Sequence, residues 1–356
     1  MVINTRWRIF NLWKKKLNLR NKKNILFIYP IFSSFVSADY EILSEKYNVV
    51  KYQYVHKKKI STHLLNQIKL KFWLFKNIIG ADAVYVWFAD YHSLLPILFA
   101  KLLQKKSFIV LGGYDVTFIP SLDYGSLNNS LRAFCTKQSL KNATVNLAVS
   151  NYVANQAIEI VTKAKVELIY NGVNLSKFKS EVGIRKNKIL TVGSIDSIRR
   201  IKLKGIDVFV KVAIAMPEYE FAIVGITQSM QKELGDIPNN LVMVDQVQQD
   251  ELFRYYNESK VYCQFSIVEA FCLALAEAMA CGCTGVVTDA GALPEVIGDS
   301  GFIVDAESMI EIKEKIEEAL KLSEKSNFKS VKIIKDNFDI EYRKEKLFEV
   351  FETNGV

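Results

Sequence analysis

Short, continuous apolar runs recur along the chain, and most are followed by a stretch whose apolar positions fall every three or four residues. The runs at 24–29 (NILFIY), 49–55, 83–88, 107–111, 145–149 and 166–170 read as strands of a parallel sheet buried on both faces. Between them, 39–47, 61–79, 92–103, 129–141 and 151–162 read as helices, the last capped by Asn151. The helical period is plain in 61–79, through Leu64, Leu65, Ile68, Phe72, Phe75 and Ile79. A polar, charged run at 176–188 interrupts the alternation and reads as a linker. Strands are then expected at 188–192, 219–224, 241–244, 260–265, 285–288, 293–297 and 302–304. Helices are expected at 205–216 and 251–257, and from 308 to 351 the pattern is helical with interleaved charges. Strands alternating with helices predict an α/β chain of doubly wound sheets. At 356 residues there is length for two cores. The predicted division is 25–178 and 179–340, preceded by an arm at 1–24.

Charge sharpens the picture of that arm. The chain has 47 Lys and Arg against 38 Asp and Glu, a net +9. Arg6, Arg8, Lys14, Lys15, Lys16, Arg20, Lys22 and Lys23 supply eight of those nine charges, and no acid lies among them. The body is therefore nearly neutral. A nucleic-acid groove needs cations spread over a folded surface, so no nucleic-acid partner is expected. Trp7, Ile9, Phe10, Leu12, Trp13, Leu17 and Leu19 are mixed with the cations. Two readings fit: an amphipathic helix on an anionic membrane, or a basic leader or packed helix. No run of 18 apolar residues and no signal-peptide core are present, which predicts a cytoplasmic protein, at most peripheral on the inner face of the membrane. Cys135, Cys263, Cys272, Cys281 and Cys283 follow no zinc spacing and have no histidine nearby in sequence, so reduced thiols and no metal are expected.

The chemistry concentrates in 266–282, SIVEAFCLALAEAMACG. Glu269 and Glu277 stand eight positions apart, bracketing a small apolar segment fit to start a helix. The strand before it puts Glu269 in a strand-to-helix turn at the carboxyl edge of a parallel sheet, where ligands of such folds bind. Free N–H groups near Phe271 to Leu273 would face an anion, and Glu277 would lie about two turns along.

This string resembles the donor-site signature of the GT-B glycosyltransferases, specifically family 4 of retaining enzymes (glycosyl transferases group 1). LGGYDV at 111–116, AVSNYV at 148–153, IYNGVN at 169–174, the VGS–KG segment at 192–205 and GALPEVIGDSG at 291–301 occur with it in family order. The resemblance implies a GT-B fold: two Rossmann-like domains facing across a cleft, 25–178 on the acceptor side and 179–340 for the donor, with a last helix at about 341–351 crossing back. It implies a hexosyltransferase moving a sugar from a nucleotide-diphosphate donor to a glycan or lipid-linked acceptor, in cell-surface polysaccharide or glycolipid synthesis. It implies roles for Glu269 on the sugar hydroxyls, for Ala270, Phe271, Cys272 and Leu273 on the sugar and diphosphate, and for Glu277 on the ribose. Lys204 matches the family's phosphate lysine. The partner arginine usually follows Val-Gly directly; here Ser194 follows Gly193, so Arg200, or else Arg199, must reach in. The base is expected over Val247 and Gln246. Asp115 falls where family members hold the sugar near the reacting carbon, or simply caps the next turn. His92 reads as a cap or packing residue, and no motif surrounds His56 or His63. Ala270 and Cys272 replace two family glycines. The string Asp-x-Asp is missing, which predicts charge neutralisation by cations and helix starts in place of a metal. A catalytically inert GT-B subunit is the competing reading. A nicotinamide dehydrogenase fails, because no Gly-x-Gly-x-x-Gly follows the first strand.

Overall fold

A computed structural model describes residues 22–56, 60–181, 186–322 and 324–356. It contains two six-stranded sheets in which every paired strand is parallel. The first has the order β2-β1-β3-β4-β5-β6: β1 (Asn24–Tyr29), β2 (Asn48–Gln53), β3 (Ala83–Trp87), β4 (Lys106–Leu111), β5 (Val145–Ala148) and β6 (Val166–Leu168). The second has the order β12-β11-β10-β7-β8-β9: β7 (Lys186–Ile195), β8 (Glu220–Ile226), β9 (Leu241–Val244), β10 (Ser259–Gln264), β11 (Thr284–Thr288) and β12 (Phe302–Val304). The central strands are continuous apolar runs because helices cover both faces; all five residues of β3 and of β11 are buried.

Strand order reverses between β1 and β3 in the first sheet and between β7 and β10 in the second. Crevices open at such reversals, outside the carboxyl ends of the strands. The helices of the first half are α1 (Ser34–Lys46), α2 (Ile60–Asn77), α3 (Tyr91–Leu102), α4 (Ser130–Asn142) and α5 (Asn151–Ile160). Those of the second are α6 (Ile198–Leu203), α7 (Ile206–Ala215), α8 (Gln228–Glu233), α9 (Gln249–Glu258), α10 (Leu273–Ala280), α11 (Leu293–Ile297), α12 (Met309–Lys321), α13 (Glu324–Asn337) and α14 (Ile340–Thr353).

Several elements differ from the sequence expectation. The segment 293–297 is helix α11, not a strand, because Pro294 sits in its first turn, where the missing N–H costs nothing. Ser150, not Asn151, caps α5, its Oγ accepting from the Val153 N–H. Helix α1 starts at Ser34, five residues earlier than expected, and buries Val36. The basic loop after β7 contains a helix, α6, capped by Ser197.

Helix α14 crosses back onto the first sheet. Arg343 pairs with Asp39 of α1 through two contacts, Nε to Oδ1 at 2.6 Å and Nη2 to Oδ2 at 2.7 Å. Its Nη1 donates to the carbonyls of Ile169 and Tyr170, and Tyr85 Oη donates to Asp39. Both charges are buried, and each guanidinium nitrogen has a partner, as a buried ion pair requires. Phe351 stacks on Phe108 at a centroid distance of 4.3 Å. Of the arm at 1–24, residues 1–21 lie outside the described residues, and with them the amphipathic reading. Lys22 and Lys23 donate to carbonyls of the body at Glu45 and Gly355. Among the described residues, no helix is long and apolar enough to cross a membrane.

Candidate active site

The turns after β7 and β10 meet because of Gly205. Its φ is +65°, and a Cβ there would lie 2.0 Å from the Phe265 carbonyl oxygen. Only glycine allows that conformation and that approach. The preceding residue, Lys204, is thereby set against the turn that carries Glu269. Lys204 Nζ donates to Glu269 Oε1 at 2.6 Å. Ser266 Oγ donates to the same oxygen at 2.8 Å. Burial alone would pull the Lys204 ammonium down, but the Glu269 carboxylate outweighs it and holds the pKa above the usual lysine value.

Glu277 lies on α10, buried, with Oε1 accepting from Gln249 Nε2 at 3.0 Å and Oε2 from Tyr256 Oη at 3.1 Å. Burial pushes its carboxyl up to about 7, against the pull of those two hydrogen bonds. No side chain caps the start of α10. The N-cap residue is Cys272, at φ 69° and ψ 72°, a left-handed conformation rare for a residue with a Cβ. Burial raises its thiol well above the ordinary range, so it is protonated at neutral pH.

These groups line one cavity of about 470 Å³ between the two sheets. Of the expected site residues, Gly193, Lys204, Val247, Glu269, Ala270, Phe271, Cys272, Leu273 and Glu277 all border it. Two do not. Asp115 is fully buried, its carboxylate accepting from the N–H groups of Ala89 at 3.1 Å and Gly113 at 2.8 Å. That bonding fixes the glycine turn after β4, and burial raises the Asp115 carboxyl to about 7. Arg200 stands on the rim: its Nη1 donates to the Ser194 carbonyl at 2.8 Å and to Ser194 Oγ at 2.9 Å. Ser194 itself borders the cavity. Arg199 points elsewhere, donating to the Asp123 carbonyl of the first half at 2.9 Å.

From the first half, Gly112 of the LGGYDV string borders the cavity as expected, while Ser34, Phe35, Trp87 and Asn171, which also border it, were overlooked by sequence reasoning. Asn171 is buried, and its Oδ1 has no hydrogen-bond partner. The IYNGVN string was the available signal for it. The halves touch at the cavity, where a Cβ on Gly113 would lie 2.3 Å from Ala270 Cβ. They are also tied by Glu295, whose carboxylate accepts from the N–H groups of Asn151 at 2.9 Å and Tyr152 at 2.8 Å, at the start of α5.

The three histidines gather outside this cavity, around Tyr54. Ligand atoms of His56, Asp90 and His92 lie within 4.8 Å of one another, a spacing that could hold a cation. Arg132 already pairs with Asp90 at 3.1 Å and competes with a metal there. His92 is buried two positions after Asp90, the true cap of α3.

The sequence matches two family models, Glycosyltransferase Family 4 over residues 31–177 and Glycosyl transferases group 1 over residues 174–331. The chain belongs to glycosyltransferase family 4. Its fold is GT-B. An N-acetyl-alpha-D-glucosaminyl L-malate synthase of Bacillus anthracis is 25% identical over 291 residues, 76% of this chain and 74% of that protein. A sucrose-phosphate synthase from Thermosynechococcus elongatus superposes with a TM-score of 0.76 at 14% identity, covering 93% of this chain and 99% of that one. HepE of Anabaena, solved in complex with UDP, superposes with a TM-score of 0.72 at 14% identity, covering 93% and 100%. In this glycosyltransferase, then, the cavity between the sheets is the place to look for the reaction.

Proposed function

We propose that this glycosyltransferase moves a hexose from a nucleoside-diphosphate donor to a glycan or lipid-linked acceptor, with retention at the anomeric carbon and without a metal. The observation that carries the reading is that Lys204, Glu269, Glu277 and the uncapped start of α10 border one cavity. The leaving diphosphate gains negative charge as the glycosidic bond breaks. Lys204 and the N–H groups at the start of α10 would meet that charge in a water-poor cleft, where such contacts are strongest. Arg200 would reach the diphosphate past Ser194. Glu277 would accept from the ribose hydroxyls, displacing Gln249 or Tyr256. Glu269 would hold the sugar while sharing Lys204 with the phosphates. UDP and UDP-glucose in the HepE complexes support a nucleotide-sugar donor for this cavity.

A panel of nucleotide sugars, read by thermal shift and then by mass spectrometry of donor consumption, tests the reading. One nucleoside diphosphate should raise the melting temperature by mass action, and its sugar should be consumed. Binding without consumption across acceptors would favour the inert-subunit reading. Activity should survive excess chelator; activity abolished by chelator and restored by Mg²⁺ or Mn²⁺ would refute the metal-free step.

A further inference from the structure

Helix α2 (Ile60–Asn77) is apolar on two faces. One face, Leu70 and Leu74, continued by Ile78 just past the helix end, is fully buried against the first sheet. The other carries Leu64, Leu65, Ile68, Phe72 and Phe75, with Ile79 following, and all six are exposed. Phe72 is 70% exposed and Ile79 77%. The spacing of four, four, three and four from Leu64 to Ile79 makes this one continuous ridge, roughly 16 Å long within the helix. Leu98 and Leu102 of α3, with Leu103 just past its end, extend the apolar area, and Phe75 packs edge-on against Phe99. An exposed apolar area of this size marks a surface that something covers.

Charge identifies what covers it. Residues 56–81 contain Lys57, Lys58, Lys59, Lys69, Lys71 and Lys76 and no acid. Lys69, Lys71 and Lys76 are exposed beside the ridge, and Lys101 and Lys105 lie at its α3 end. A second copy of the chain would bring like charges together. The chain's own arm at 1–24 would do the same with its eight cations. The ridge is also a convex helix face, with no groove to receive a peptide.

We propose that α2 is a docking surface for an anionic lipid bilayer, its leucines and phenylalanines entering the acyl boundary and its lysines meeting lipid phosphates. The helix starts at the carboxyl edge of the first sheet, where His63 packs against Tyr91 with ring centroids 4.5 Å apart. Docking along it sets that edge, and the cleft beyond, against the membrane surface. This inference is independent of the glycosyl-transfer reading.

Co-sedimentation of the full chain with phosphatidylglycerol/phosphatidylcholine vesicles, against phosphatidylcholine alone, tests it. Binding should require the anionic lipid and weaken with salt as exposed charges are screened. The double substitution Phe72→Glu/Phe75→Glu should weaken binding at least tenfold, since it replaces inserted rings by repelled acids. Both positions are exposed, so the melting temperature should hold. The same loss should appear when the pair is introduced beside Lys14→Gln/Lys15→Gln/Lys16→Gln, which separates the helix from the arm. Wild-type protein that ignores anionic vesicles at low salt, or a double variant that binds them as well as wild type, overturns the proposal. So does a wild-type dimer that the double variant dissolves.

Discussion

Lys204 Nζ and Glu269 Oε1 lie 2.6 Å apart, joining the turn before α7 to the turn after β10. The cation that the proposed reaction would use for its departing diphosphate is thus held in place by an acid of the same site. Removing the lysine would strip the phosphates of a charge and leave Glu269 without its counter-ion. Lys204→Ala is therefore expected to lower kcat/KM by one to two decades, the worth of a charged hydrogen bond of about 1.5–3 kcal/mol. Because the two groups act together, the combined Lys204→Ala/Glu269→Ala variant should lose less than the sum of the single losses. Strict additivity in a double-mutant cycle would show that they work separately.

Glu277 makes the free protein pH-sensitive. Its carboxyl is raised by burial to about 7 in the folded chain, against about 4.3 when unfolded. The folded state therefore binds that proton more tightly. The stability it gives is fully present below the unfolded pKa and is lost as pH rises through about 7. Asp115, also raised to about 7, acts in the same direction. Between about pH 5.5 and about pH 8.5 the Glu277 share comes to roughly 2 kcal/mol. Melting temperatures of ligand-free protein should fall over that range, and Glu277→Gln should flatten part of the fall. An unchanged slope in the variant would rule out Glu277 as the titrating group.

Cys272 inverts the usual order of small substitutions at a helix start. Its left-handed φ of 69° penalises any Cβ by about 1–2 kcal/mol. Glycine escapes that penalty but pays more in unfolded-chain entropy, about 0.5–1 kcal/mol. Cys272→Gly should therefore be more stable than Cys272→Ala by up to about 1 kcal/mol, both having lost the same buried sulfur. Denaturant midpoints of the two variants measure this directly. Alanine proving the more stable would mean the left-handed turn is relaxed in the variants.

Most of the fold was legible because parallel strands covered on both faces announce themselves as continuous apolar runs, as in NILFIY and AVYVW. What was misjudged was local. In 293–297 the residues Leu293, Val296 and Ile297 are buried on a short helix, and five residues are too few for period to tell helix from strand. In the site, the second half was legible through its spaced glutamates and Lys204. The first half was legible only at Gly112, because Phe35 enters from the start of α1, Trp87 from the end of β3 and Asn171 from the loop after β6, which only the tertiary fold brings together. For Asp115 the sequence allowed two readings, a sugar contact or a cap; in the fold its carboxylate holds the N–H groups of Gly113 in its own turn and of Ala89 after β3. The outward stripe of α2 was visible as period, but nothing in the sequence told which of its two apolar faces would be buried.

Gly113 and Ala270 set how closely the two halves can approach. Gly113 has φ +102°, and a Cβ built on it would sit 2.3 Å from the Ala270 Cβ, far inside contact distance. Both residues belong to turns at the cavity, one after β4 and one after β10. Gly113→Ala would add backbone strain and also wedge these turns apart, moving Lys204 and the start of α10 away from the first half. Because a misplacement of about 1 Å can cost about a hundredfold in rate, turnover should fall by one to two decades. Donor affinity should fall much less, since the residues assigned to the nucleotide all lie on the second half. Ala270→Gly removes the atom that the new methyl meets, but not the strain at φ +102°. The double variant Gly113→Ala/Ala270→Gly should therefore recover a large part of the lost kcat while keeping the lower melting temperature that the strain imposes. Steady-state kinetics and thermal melts on the four proteins separate the two effects. If Ala270→Gly rescues nothing, the harm comes from strain in the glycine turn alone, and the approach of the halves at this point does not control the rate.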